Sequence, residues 1–92
     1  MPNGIFIAKN LHFKPNGIKG GDMRVFDADS LGKAIRDRRK ELNYTQSHLA
    51  EFTGLSITFI SDVERGKKTA EIGKVLELLH VLGLDILVEK RG

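Results

Sequence analysis

The sequence has no cysteine, no tryptophan and only two prolines, Pro2 and Pro15. A chain without cysteine forms no disulfide and no thiolate metal site, which fits a cytoplasmic protein. No apolar run approaches the ~18 residues that a membrane-spanning helix requires. The first ten residues also lack the basic start and the long apolar stretch of a secretory signal. We therefore expect a cytoplasmic protein that has no membrane partner.

Groups arranged for catalysis are also missing. The three histidines, His12, His48 and His80, lack carboxylate or cysteine companions at the spacing of metal ligands. No nucleophile and base stand in a recognisable pattern, and "NGIKGG" lacks the GK[ST] ending of a phosphate-binding loop. We expect no metal site, no cofactor and no enzymatic activity.

An excess of charge of one sign is nearly absent from the main part of the chain. The net charge is +3, but residues 1–22 contain three lysines and one aspartate, which leaves only +1 for residues 23–92. A chain of 92 residues that is 40% hydrophobic and 29% charged is typical of one small globular domain. If this domain binds nucleic acid, the placement of its charges matters more than their total.

Residues 1–22 differ from the rest because they are rich in glycine and contain both prolines. Within them, only Ile5–Ala8 has the pattern of a short strand. Two interpretations stay open. The segment is a genuine N-terminal arm, or Lys19–Asp22 is a translated ribosome-binding sequence and the natural protein starts at Met23.

From Asp27 onward the apolar residues recur with helical spacing, which predicts four helices. A side-chain oxygen before each helix can accept its free N–H groups, and Asn or Gly after each fits a left-handed helix end. The predicted helices run from Asp27 or Asp29 to Asn43, from Gln46 to about Phe52 after the cap Thr45, from Ile57 to Glu64 after the cap Ser56, and from Ala70 to Leu82 after the cap Thr69.

Residues 84–89 change to a period of two, which places Leu84, Ile86 and Val88 on one face of a strand. A single strand leaves its backbone groups unpaired, so it needs a partner. The candidates are Met23–Phe26, Ile5–Ala8 and the same strand of a second subunit. We predict the last of these, which makes residues 84–92 a dimerisation segment.

The second and third helices have the spacing of a helix-turn-helix unit. Counted from Gln46 as position one, a small Ala50 stands at five, Gly54 at nine, and the apolar Ile60 and Val63 at fifteen and eighteen. Two helices that cross steeply need a small residue at their contact, a left-handed turn, and an apolar inner face on the second helix. Several independent positions therefore agree on one motif.

The stretch "YTQSHLAEFTGLSITFISDVERGKK" resembles the Xre/Cro-type helix-turn-helix regulators in Thr45-Gln46, Leu49-Ala50, Gly54, Ile60-Ser61 and Glu64-Arg65-Gly66-Lys67. The segments on either side, "SLGKAIRDRRKELNYTQ" and "TAEIGKVLELLHVLGLDI", are similar to HipB-like antitoxin and repressor proteins. The resemblance implies an all-α, lambda-repressor-like domain of four to five helices over residues 23–83. It also implies a short C-terminal β-strand that pairs across a dimer.

In such a domain the third helix enters the major groove with its N-terminal end first. The resemblance therefore implies that the base-facing residues are Ser56, Ile57, Thr58, Ser61 and Asp62, and that the DNA backbone is held by Thr45, Gln46, Lys67 and Lys68. Ile57 and Asp62 are atypical there. Asp62 either accepts from a cytosine amino group or pairs with a nearby Lys or Arg. The resemblance also implies that Arg36 or Arg39 pairs with Glu64, whereas the placement of Phe59 stays open between core and groove.

The function that these features predict is sequence-specific binding of double-stranded DNA at a palindromic operator, by a homodimeric transcriptional repressor. The HipB-like resemblance implies that the protein is an autoregulating antitoxin that binds a HipA-like kinase toxin. One alternative is a stand-alone Xre-type regulator without a toxin partner. Another is a protein-interaction module whose DNA-binding face is vestigial.

Overall fold

The computed structural model describes residues 23–92, so both interpretations of residues 1–22 lie outside the described residues. Its four α-helices are α1 (Ala28–Glu41), α2 (Gln46–Thr53), α3 (Ile57–Glu64) and α4 (Ile72–Val81). All four belong to one compact unit, Val25–Asp85. No helix in this described part of the chain is long and apolar enough to cross a membrane. The predicted all-α fold is confirmed.

The N-terminal caps of the first three helices follow from local side-chain chemistry. Asp27 begins α1, because its carboxylate accepts the N–H of Ser30 while the Ser30 hydroxyl accepts the N–H of Asp27. The hydrogen bond from the Ser30 N–H lowers the pKa of the Asp27 carboxyl. The hydroxyls of Thr45 and Ser56 cap α2 and α3 by accepting the N–H of His48 and of Phe59, each at 3.0 Å. The predicted caps of these helices are confirmed, with Asp27 chosen over Asp29.

The start of α4 was predicted two residues too early. The helix begins at Ile72, its N-cap is Glu71, and no side chain caps it. Between α3 and α4 the chain contains Gly66, with a φ of 88°, and a turn at residues 68–69. Thr69 therefore belongs to the turn and is not a helix cap.

The core is formed by apolar side chains from all four helices. Each fully buried side chain of this size contributes about 1.5–3 kcal/mol relative to the exposed state. The buried set is Ile35, Leu49, Ile60, Val63, Val75, Leu78, Leu79 and Leu82. Phe59 is half-buried and packs against this set, so the open choice for Phe59 is decided in favour of the core.

Helix α1 approaches the C-terminal end of α3 so closely that only glycine fits at position 32. A Cβ atom there would lie 2.3 Å from the carbonyl oxygen of Val63 and 2.8 Å from that of Glu64. Such distances are far inside van der Waals contact. Gly32 thus sets how near the last turn of α3 lies to α1.

The predicted C-terminal strand is not formed within the single chain, because residues 23–92 contain no strand. An extended segment becomes a strand only when a second backbone accepts its hydrogen bonds, so pairing between subunits stays a prediction. The position predicted for Leu84, on the face of the strand, needs correction. Leu84 packs against the core, and its N–H donates to the carbonyl of Leu79 at 2.9 Å. It therefore completes the end of α4, whereas Ile86 and Val88 are exposed.

Candidate nucleic-acid interface

Helices α2 and α3 are joined by a turn of three residues. Gly54 ends α2 with a φ of 76°, and its N–H donates to the carbonyl of Ala50 at 2.8 Å. No atom would contact a Cβ at Gly54, so glycine is needed there for its backbone angle and not for space. The Thr53 hydroxyl donates to the carbonyl of Leu49 at 2.8 Å and accepts the N–H of Leu55 at 3.1 Å. This hydroxyl stabilises the turn.

A buried ion pair fixes the C-terminal end of α3 to α1. Arg39 donates to both carboxylate oxygens of Glu64, from Nε at 2.7 Å and from Nη2 at 3.0 Å. The two side chains are only 10% and 3% exposed. The hydrogen bonds to Glu64 raise the pKa of Arg39. Of the two arginines predicted to pair with Glu64, Arg39 is the correct one, and Arg36 is exposed.

The same carboxylate also holds the first residue of α2. Gln46 Nε2 donates to Glu64 Oε1 at 3.1 Å, and Arg39 Nη1 donates to the carbonyl of Tyr44 at 2.9 Å. We name the set Arg39, Glu64, Gln46 and the Tyr44 carbonyl the Glu64 clamp. Because it joins α1, the start of α2 and the end of α3, it fixes the angle between the two helices of the motif. It also directs the Gln46 side chain inward, so the predicted contact of Gln46 with the DNA backbone falls to its main-chain N–H.

The N-terminal turn of α3 is open to solvent. Ser56, Ile57 and Thr58 are exposed next to one another, and Ile57 is 48% exposed. Phe59 turns inward, where Lys74 Nζ lies 5.8 Å from the centre of its ring. The structure therefore brings together three of the five predicted base-facing residues on one exposed turn.

The C-terminal part of α3 presents a second group of polar side chains. Arg65 donates to the Ser61 hydroxyl from Nη1 and to Asp62 Oδ1 from Nη2, the latter at 2.7 Å. Lys67 Nζ lies 3.6 Å from Asp62 Oδ2. We name Ser61, Asp62, Arg65 and Lys67 the Asp62 cluster. In the free chain, Asp62 thus pairs with nearby cations, which is one of its two predicted roles.

Sequence reasoning left Arg65 out of the site. It stands inside the "ERGKK" segment that carries the family resemblance, so its exposed cationic side chain could have been included on that signal. Lys67 and Lys68 are exposed, as a contact with the DNA backbone requires. Among residues 23–92, no group of three or more His, Cys, Asp or Glu could hold a metal ion.

Two short helices joined through a left-handed glycine, with an exposed polar face on the second helix, define a helix-turn-helix domain. The sequence pattern of the family described as Helix-turn-helix matches residues 35–88. The protein belongs to this helix-turn-helix family, in its Xre-like branch, and is a DNA-binding transcriptional regulator.

Two relatives illustrate the similarity in sequence. The HTH-type transcriptional regulator y4mF of Sinorhizobium fredii is 44% identical over 63 residues, which span 68% of this chain and 83% of the relative. The ImmF control region 10 kDa protein of Bacillus phage phi105 is 32% identical over 66 residues, which span 72% of this chain and 73% of the relative. Both alignments cover more than two thirds of each chain.

Solved structures of HipB share the fold. The HipB chain in a HipB-O4 20mer complex superposes with a TM-score of 0.70 at 21% identity and covers 77% of this chain and 100% of that chain. A matching chain in a HipA-HipB-O2-O3 complex gives the same TM-score, identity and coverage. At this identity the likeness shows the fold.

Proposed function

We propose that this regulator is a repressor that binds a palindromic operator as a homodimer. The observation that carries the proposal is the division of α3 into a buried inner face and an exposed first turn. Ile60, Val63 and Glu64 are buried, whereas Ser56 and Thr58 are exposed. The first turn of a recognition helix is the part that reaches base edges in the major groove. The proposed base-facing set is Ser56, Ile57, Thr58, Ser61 and Asp62.

The DNA backbone is proposed to be held at two places. The N-terminus of α2 offers the free N–H groups that favour a phosphate, at Thr45 and Gln46. Because the Gln46 side chain donates to Glu64, the contact at Gln46 is made by its main chain. Lys67 and Lys68 follow α3 and contact phosphates beside the recognition helix.

Replacement of the two lysines separates backbone contacts from base contacts. We expect Lys67→Ala with Lys68→Ala to weaken binding to all DNA sequences and to lower the salt slope by about 0.9 for each lost phosphate contact. Thr58→Ala should weaken binding by about 1–3 kcal/mol, and only on DNA that carries the base that Thr58 contacts. The measurement is fluorescence anisotropy with footprinted upstream DNA and with a random duplex.

Two results would count against this assignment. Lys33→Ala with Lys74→Ala removes the same charge elsewhere, from two exposed ion pairs, and an equal loss in that control would remove Lys67 and Lys68 from the interface. Equal losses on specific and random DNA from Thr58→Ala would remove Thr58 from the base-facing set. A folded dimer that fails to bind upstream DNA at low salt would favour the protein-interaction module.

The dimer is proposed to form through the C-terminal segment. Ile86 and Val88 are 55% and 88% exposed, which leaves an apolar face for a second copy to cover. Truncation after Asp85 tests this, because it keeps Leu84 in the core. We expect the truncated chain to be a monomer by mass in solution and to bind its operator more weakly. An unchanged dimer with unchanged affinity would exclude this segment.

The finer proposal is that the regulator is an antitoxin that binds a HipA-like kinase. It is supported by the sequence resemblance to HipB-like proteins and by the fold shared with HipB, which is found in a HipA-HipB-O2-O3 complex. The test is co-expression with the adjacent reading frame. Co-purification of a kinase-like protein is expected, and its absence would exclude the pairing.

A stand-alone regulator is the second candidate. The phage phi105 relative comes from an ImmF control region and is more similar in sequence, at 32%, than the HipB chains, at 21%. This candidate predicts operator binding by a protein that co-purifies with no toxin. The co-expression experiment therefore separates the two candidates.

A further inference from the structure

One carboxylate holds two of the cations at the C-terminal end of α3. Asp62 Oδ1 accepts from Arg65 at 2.7 Å, and Asp62 Oδ2 lies 3.6 Å from Lys67 Nζ. Both oxygens of Asp62 therefore face a cation. The side chains of Arg65 and Lys67 are nevertheless 69% and 53% exposed, so a DNA phosphate could reach either of them.

The main chain builds this arrangement. The N–H of Lys67 donates to the carbonyl of Asp62 at 3.0 Å, and the N–H of Arg65 donates to the carbonyls of Ser61 and Asp62 at 3.1 and 3.2 Å. The segment after α3 is thereby folded back beside Asp62. The two cations are placed near its carboxylate by the backbone and not only by the reach of long side chains.

We infer that Asp62 is a specificity-determining residue, which competes with DNA phosphates for Arg65 and Lys67 and so weakens binding to random sequences. The inference rests on the proposed DNA-binding function. A phosphate that contacts either cation shares it with Asp62, and the carboxylate also repels that phosphate. At an operator with a cytosine in reach, the carboxylate accepts from the cytosine amino group instead, which offsets the loss. Random DNA offers no such compensation.

Asp62→Asn tests the inference because it removes the charge and keeps the shape. The binding constant is measured by fluorescence anisotropy against a labelled random duplex of about two helical turns and against footprinted upstream DNA, over a series of salt concentrations. We expect the variant to bind the random duplex about 3- to 10-fold more tightly. Its salt slope should be steeper by about 0.9, because Arg65 gains one phosphate contact while Lys67 already has one. The ratio of upstream to random affinity should fall.

Asp37→Asn is the matched control, because Asp37 forms a 3.0 Å ion pair with Lys33 on α1 and its replacement changes the charge equally. A second comparison introduces Asp62→Asn into a chain that already carries Arg65→Ala and Lys67→Ala. In that background Asp62→Asn should give no gain in affinity for the random duplex. Equal gains from Asp37→Asn, or a gain that persists without Arg65 and Lys67, would overturn the inference.

The outcomes also separate this inference from the function on which it rests. If the wild type binds DNA and Asp62→Asn gives no gain on the random duplex, the inference alone is wrong. If both proteins melt as folded domains and neither binds any DNA at low salt, the proposed function is wrong and the inference with it.

Discussion

Helix α3 carries two carboxylates, two residues apart, of which one is buried and the other is partly exposed. Glu64 is 3% exposed and binds Arg39 and Gln46, whereas Asp62 is 24% exposed and binds Arg65 and Lys67. Each carboxylate has two nitrogen-bearing partners, one cation and one neutral amide at Glu64 and two cations at Asp62. Burial makes the larger difference. A buried charge without its partner is costly, whereas an exposed pair contributes little to stability and stays available to a ligand.

The largest expected effect is at the buried carboxylate. We expect Glu64→Gln to lower the free energy of unfolding by about 3 kcal/mol, because Arg39 then keeps a buried charge without a counter-ion. The measurement is urea denaturation followed by circular dichroism. Arg39→Met combined with Glu64→Gln should lose less than the two single variants together, since no unpaired charge remains. Additive losses would contradict the clamp.

A smaller effect is expected where α1 contacts the last turn of α3. Gly32→Ala should lower the free energy of unfolding by about 2 kcal/mol, because the new methyl group must displace the carbonyls of Val63 and Glu64. Gly73→Ala is the control, since its nearest neighbouring atom would be 3.9 Å away. In α4 that change should stabilise the helix by about 0.5 kcal/mol. Destabilisation by both would show that the contact at Gly32 is not special.

The smallest effect on stability is expected at the exposed carboxylate. Asp62→Asn should change the free energy of unfolding by less than about 1 kcal/mol, and added salt should reduce that change further. Denaturation in parallel with Glu64→Gln gives a direct comparison of one chemical change at two depths. A loss at Asp62 as large as that at Glu64 would contradict the division of roles along α3.

Local rules explain most of what the sequence predicted correctly. Asp27, Thr45 and Ser56 cap their helices through side-chain oxygens a few atoms away. Asn43 and Gly54 take up left-handed angles that few other residues tolerate. The motif spacing needs only the period of a helix. These features could be predicted because each depends on neighbours in the chain.

The features that the sequence did not predict depend on contacts between distant segments. The inward direction of Gln46 depends on a carboxylate 18 residues away, and the need for glycine at position 32 depends on the end of α3. The start of α4 depends on the turn at residues 68–69 that precedes it. The predicted C-terminal strand requires a second backbone, and its pairing stays a prediction. No local pattern carries this information, because the partner is brought near only by folding.

The Glu64 clamp has a consequence for how such a regulator can change over evolution. It fixes the orientation of α3 from the inner face, through residues that do not include the exposed Ile57 and Thr58. These two positions can therefore be replaced with little loss of stability, since surface changes away from such features usually alter it by less than about 0.5 kcal/mol. Because both sites belong to the proposed base-facing set, we expect a duplicated copy of the gene to acquire a new target sequence by substitution there while its scaffold stays the same.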